Sequence, residues 1–168
     1  MTYTPKTYAP KLPRTKTSEQ ALSSLMRLCA RAEKCSGDAL RLMRRWGLSD
    51  ADAQGVLARL VRERFIDDRR YAEAYVREKV RFSGWGTHKI RASLRAKSVA
   101  PAIVEAALAE FAPSDNNRER LSEMIRKKAA KTSYKDAYDL KAKLVRFGMS
   151  RGFDLDDVLA ATEEFLAE

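Results

Sequence analysis

The chain has 168 residues, 45% of them apolar, enough for one globular domain or a string of small ones. Its 33 basic against 23 acidic residues leave a net charge of +10 and a pI near 9.8, which favours polyanions or acidic protein surfaces as partners. No apolar run reaches the ~18 residues that cross a bilayer, so a membrane-spanning helix is excluded.

Residues 1–17 hold Pro5, Pro10 and Pro13, four cations and no acid, and lack the apolar stretch of a secretory signal. They read as a disordered basic arm. The segment "TSEQ" then opens a helix, with Thr17 as cap and Gln20 reaching back. Leu22, Leu25, Met26 and Cys29 follow at helical spacing. A second helix is expected over about 37–46, ended by Gly47, and a third after the "SDAD" cap at 49–52, with Val56, Leu57, Leu60 and Val61 inward. These three make a module over residues 18–66.

The pattern recurs in 67–113. Helix four is expected over about 68–82 and breaks at "SGWG", 83–86. Helix five covers about 87–97, with Ile90 and Leu94 inward, and helix six opens with Pro101 at its first position. "PSDNN" at 113–117 reads as a linker to a third module, 114–168, with helices at about 118–131, 134–147 and 155–166 and caps at Ser133 and Asp154. The segments "GLSD" (47–50), "SVAP" (98–101) and "GFDL" (152–155) stand 51 and 54 residues apart, and each closes one helix and opens the next. Leu57 then falls on Leu108 and Met43 on Leu94. The expected fold is all-α: three tandem three-helix modules forming an elongated, curved helical repeat.

The stretch "FIDDRRYAEAYVREKV" poses a choice for Asp67 and Asp68. Adjacent helical residues point about 100° apart, so the two carboxylates cannot face one substrate together. An aspartate between Ile66 and the Tyr71–Tyr75 face caps the exposed N–H groups of helix four, contributing ~1 kcal/mol. The pair is punctuation.

That stretch, followed by "SGWGTHKIRASLRAK", resembles the signature of the RecX family, bacterial regulators of the RecA recombinase. The matching positions are Ile66, Asp67 or Asp68, Arg70, Tyr71, Ala72, Gly84, Gly86, Ile90, Leu94 and Lys97, and "SRGF" at 150–153 resembles the family's C-terminal landmark. Where the family commonly reads Lys-Gly-Ile, this chain has "KSV" at 97–99. The resemblance implies a cytoplasmic protein of three-helix modules, without catalysis or cofactor. It implies binding to the RecA–DNA filament, with lower ATP hydrolysis and strand exchange and with filament disassembly, hence a place in recombination, DNA repair and the SOS response.

Charge places the expected contact. Between Glu78 and Glu105 no acid occurs, while Lys79, Arg81, Lys89, Arg91, Arg95 and Lys97 do. Lys89 and Lys97, and Arg91 and Arg95, each lie along one side of helix five, where cations can track phosphates or meet acidic grooves, or simply face solvent. A second cluster is Arg41, Arg44 and Arg45 beside Trp46, a ring expected in the core. A third, Arg126, Lys127, Lys128 and Lys131, ranks last, because residues 114–168 carry eleven charges of each sign.

Other chemistry is poorly supplied. His88 is the sole histidine, without a catalytic partner in the sequence. Gly84-Trp85-Gly86 follows a helix and is too short for a dinucleotide loop. Cys29 and Cys35 lack the companions of a zinc site and suit a reducing compartment. An enzyme is therefore remote, no metal or cofactor is expected, and the chain is expected to act as a monomer. Beside the filament, direct single- or double-stranded DNA contact is a possible second partner; the competing reading is a helix-turn-helix DNA-binding transcriptional regulator. Against it, helix five offers arginines but no Asn or Gln to read base edges.

Overall fold

The computed structural model describes residues 15–112 and 114–167; residues 1–14, most of the expected basic arm, lie outside them. All regular structure among the described residues is helical: α1 (Ser18–Arg31), α2 (Ser36–Arg45), α3 (Asp50–Arg62), α4 (Asp68–Glu78), a π-helical turn (Lys79–Ser83), α5 (Thr87–Ala96), α6 (Pro101–Phe111), α7 (Ser114–Ala129), α8 (Ala137–Arg151) and α9 (Leu155–Ala167). The chain divides into two compact units, one ending at Ile66 and the other beginning at Asp67. The second unit therefore holds two three-helix groups.

In the first unit, Leu25, Met43, Leu60 and Ile66 are the large, fully buried side chains of the core. The capping box forms, with Thr17 Oγ1 accepting from the Gln20 N–H and Gln20 Oε1 from the Thr17 N–H. The end of the basic arm is ordered: Lys16 donates its N–H to the Trp46 carbonyl at 2.9 Å and sets its ammonium 3.7 Å from that ring's centre. Trp46 packs against the core as expected, but with this lysine across it.

The three landmarks share one turn. Gly47, Ser98 and Gly152 all take left-handed φ, of 80°, 62° and 84°. At each, this residue's N–H bonds three residues back, to Arg44, Arg95 and Met149, and the next N–H bonds five back, to Met43, Leu94 and Gly148. This is a Schellman motif repeated three times. The residue after each turn, Leu48, Val99 or Phe153, is buried, so the repeat is one of packing as well as backbone.

Three boundaries differ from expectation. Helix four does not run on to 82: its α-helical bonding ends at Glu78 and passes into the π turn, closed by left-handed Gly84. The expected linker at 113–117 is largely the first turn of α7, because polar residues that favour turns also favour helix N-termini. There Asn117 donates from a buried position to the Ala112 carbonyl at 2.9 Å. Helix eight starts at Ala137 and is capped by Asp136, which accepts from the Asp139 N–H at 2.8 Å; Ser133 does not cap it.

Candidate functional site

Asp67 resolves the question of the paired carboxylates. Its Oδ1 accepts from the N–H groups of Arg69 and Arg70 at 3.0 and 3.1 Å, while Asp68 falls inside the first turn of α4. Ile66, Tyr71, Ala72, Ile90 and Leu94, the apolar signature residues, are all buried. Arg70 is half-buried.

The two signature glycines have different duties. Gly84 turns the chain at φ 62°. Gly86 is buried and abuts the α8–α9 turn so closely that a Cβ there would lie 2.3 Å from the Gly152 carbonyl oxygen. Backbone bonds join the same surfaces, from Gly86 N–H to Arg151 O at 2.8 Å and from His88 N–H to Gly152 O at 3.0 Å. Arginines complete the junction: Arg120 donates to the carbonyls of Val80 and Trp85, and Arg151 to that of Ser83. Burial pushes the Arg120 guanidinium below its ordinary range, though it stays charged. His88 meets the Asp154 carboxylate at 3.3 Å, and Asp154 is held below the usual range first by the Asp156 N–H and then by His88. These contacts hold α4, the π turn and α5 as a fixed platform.

On that platform lysines and aromatic rings alternate. Tyr71 and Tyr75 stack with centres 5.9 Å apart, and the Tyr75 hydroxyl lies 2.6 Å from Ser93 Oγ. The Lys97 ammonium lies 5.9 and 6.0 Å from those two rings. Lys79 sits over Tyr75 and Trp85 at 5.1 and 5.3 Å, and Lys89 over Trp85 at 4.7 Å. Each such contact is worth ~0.5–1 kcal/mol at an exposed site, so the rings steady the lysine stems. Lys79 also meets the Glu78 carboxylate at 2.9 Å, and Lys89 donates to the Ser150 carbonyl at 3.1 Å. Beside them the π turn turns Phe82 outward, 75% exposed, with the Arg81 guanidinium 5.2 Å from its ring. Sequence reading found the lysines but missed Phe82, since its exposure depends on a π turn that spacing does not announce.

The arginines of helix five behave differently. Arg91 forms a two-pronged pair with Glu105 of α6 at 2.7 and 2.9 Å, and Arg95 approaches the same carboxylate at 3.9 Å. The gap between Glu78 and Glu105 is thus acid-free in sequence but not in space, and Arg91 ties α5 to α6. The Arg91 hydrogen bond is the main cause holding Glu105 below its usual range. The pair's contribution is therefore present at neutral pH and is lost as pH falls through that lowered value.

In the first unit Arg41 pairs with Asp38, and Arg44 with Asp50 at 3.0 Å. Lys34, Asp38, Arg41, Leu42, Arg44 and Arg45 line a surface cavity of about 550 Å³. Among the described residues no group of three or more His, Cys, Asp or Glu side chains is placed to hold a metal ion, and no helix is long and apolar enough to cross a membrane.

Family models for the second and third three-helix domains of RecX match residues 67–108 and 116–162. Curated proteins named regulatory protein RecX are similar over most of the chain. One from Thermus thermophilus is 35% identical over 142 residues, covering 84% of this chain and 89% of its own. That from Pseudomonas syringae pv. tomato is 34% identical, covering 78% and 82%. A crystal structure of RecX from Lactobacillus salivarius superposes with a TM-score of 0.78 at 18% identity, covering 90% of this chain and 97% of that one. At that identity the likeness speaks for the fold alone.

Proposed function

This chain belongs to the RecX family of regulatory proteins, and on that premise we propose that it binds the RecA–DNA filament in the cytoplasm and lowers its ATP hydrolysis, strand exchange and growth. The contact we assign is the row Lys97, Lys79 and Lys89 with the rings of Tyr71, Tyr75 and Trp85, extended by Arg81 and Phe82. The observation that carries this reading is the fixed platform: Gly86 against Gly152, with Arg120 and Arg151 on the carbonyls of the π turn, presents three lysines in a set geometry. A rigid basic row suits a partner with a repeating surface, either phosphates or acidic grooves of a filament. Arg91 is assigned to the module's own packing, and Arg95, Arg41, Arg44 and Arg45 to supporting charge.

The test is the ATPase rate of the cognate RecA on single-stranded DNA, titrated with this protein, alongside its own binding to that DNA. The rate falls at amounts well below saturation of RecA or DNA. An unchanged rate together with tight, sequence-selective duplex binding would move the assignment to a helix-turn-helix transcriptional regulator.

A further inference from the structure

Residues 114–168 are neutral in sum, but two clefts on their surface differ in the charge of their linings. Asp156, Asp157 and Glu164 of α9 line one cleft with Arg118 of α7. A separate cavity of about 630 Å³, open to solvent, lies between the end of α7 and one side of α8. Lys128, Lys131, Lys143 and Arg146 line it, with Phe147 as a wall and no acid among the lining residues. Lysines at the end of α7 would suit its negative helix terminus in any protein. That does not account for Lys143 and Arg146, which reach the same cavity from within α8.

We propose that this cavity is a nucleic-acid backbone site, a second contact of the chain that does not depend on the RecA platform. Lys143 and Arg146 stand three residues apart on α8, about 5–6 Å between Cβ atoms, and share the cavity with Lys128 in the last turn of α7 and Lys131 in the turn after it. Cations on both walls of an open groove suit a phosphodiester chain, which carries a charge on every residue. A protein partner would centre on an apolar anchor. Here the one ring in the lining, Phe147, is partly buried against the core, with Lys128 and Arg151 over it. The groove is held in shape: Lys143 bridges the Asp139 carboxylate and the Ser133 carbonyl at 2.8 and 2.9 Å, and Thr132 Oγ1 donates to Lys128 O. Asp139, the carboxylate beside the groove, is hydrogen-bonded to Lys143 and also feels the charge of Arg146, while Lys128 and Lys131 enter from the other wall.

The experiment is fluorescence anisotropy with a short labelled oligothymidylate and the full chain, without RecA, over a series of salt concentrations. Lys131→Ala with Arg146→Ala, both exposed positions, is compared with the parent and with the charge-keeping pair Lys131→Arg and Arg146→Lys. The alanine pair weakens binding about tenfold and lowers the slope of log affinity against log salt by roughly 1.4, about 0.7 per cation lost. The charge-keeping pair binds as the parent does. Unchanged affinity and slope in the alanine pair would overturn the proposal. So would a loss confined to polyglutamate binding, which would make the groove a seat for acidic protein. Because RecA is absent, either result leaves the platform reading to its own test.

Discussion

At Ser98 and at Gly152 the chain takes the same left-handed step, with the same two backbone bonds closing a helix behind it. The surroundings differ. Ser98 is exposed and carries a side chain freely, whereas a Cβ at Gly152 would lie 2.2 Å from the Lys89 Cβ and 2.6 Å from the Lys89 backbone nitrogen. One turn only stops a helix; the other also serves as the seat on which α5 rests. A repeated motif thus has a shared conformational requirement and, at one copy, a steric one. The glycine that a left-handed turn merely prefers at residue 98 is obligatory at residue 152.

Substitutions at and around the two turns separate these requirements. Gly152→Ala combines an unfavourable left-handed residue with a backbone clash and is expected to cost roughly 3 kcal/mol or more, read from urea denaturation. Removing a brace of the same junction comes next: Arg120→Ala leaves the Val80 and Trp85 carbonyls without their donor. It should lose ~2 kcal/mol and shift the Trp85 fluorescence, a change absent if the π turn stands without it. Away from the junction, Asp67→Ala removes only a cap and should lower stability by ~1 kcal/mol with filament binding retained by the folded protein. Abolished binding at unchanged stability would show that Asp67 acts at the contact. The smallest effect has the opposite sign. Ser98→Gly relieves the left-handed conformation with no clash to relieve, and should raise the melting midpoint by an amount matching at most ~1 kcal/mol.

Much of this was legible because it is local. Thr17, Ser49 and Asp67 announce helix starts through a single side chain placed two or three residues before the N–H it accepts. Gly47, Ser98 and Gly152 stand at a spacing that reveals the repeat before any packing is known. Contacts between distant segments were not legible in the same way. The partner of Arg91 lies 14 residues away on the next helix, so an acid-free stretch concealed a neutralised arginine. Gly86 reads as a turn residue in sequence, yet its need is for close approach to a turn 66 residues on. The groove of Lys128, Lys131, Lys143 and Arg146 was hidden by counting charge along a module, because acids on α9 cancel in the sum but not on the surface. The π turn has no compositional mark, so Phe82 could not be placed outside in advance.

The lysine and ring row is the surface assigned to meet the filament. Its most direct test is the amount of protein that halves the ATPase of the cognate RecA on single-stranded DNA, measured for the parent and for Lys79→Ala with Lys89→Ala. Melting curves for both accompany it. The row predicts that the double variant keeps its fold and needs about tenfold more protein for the same inhibition, a difference of ~1.4 kcal/mol. Equal inhibition by a folded double variant would contradict it, and would leave those lysines as supports for Trp85 alone.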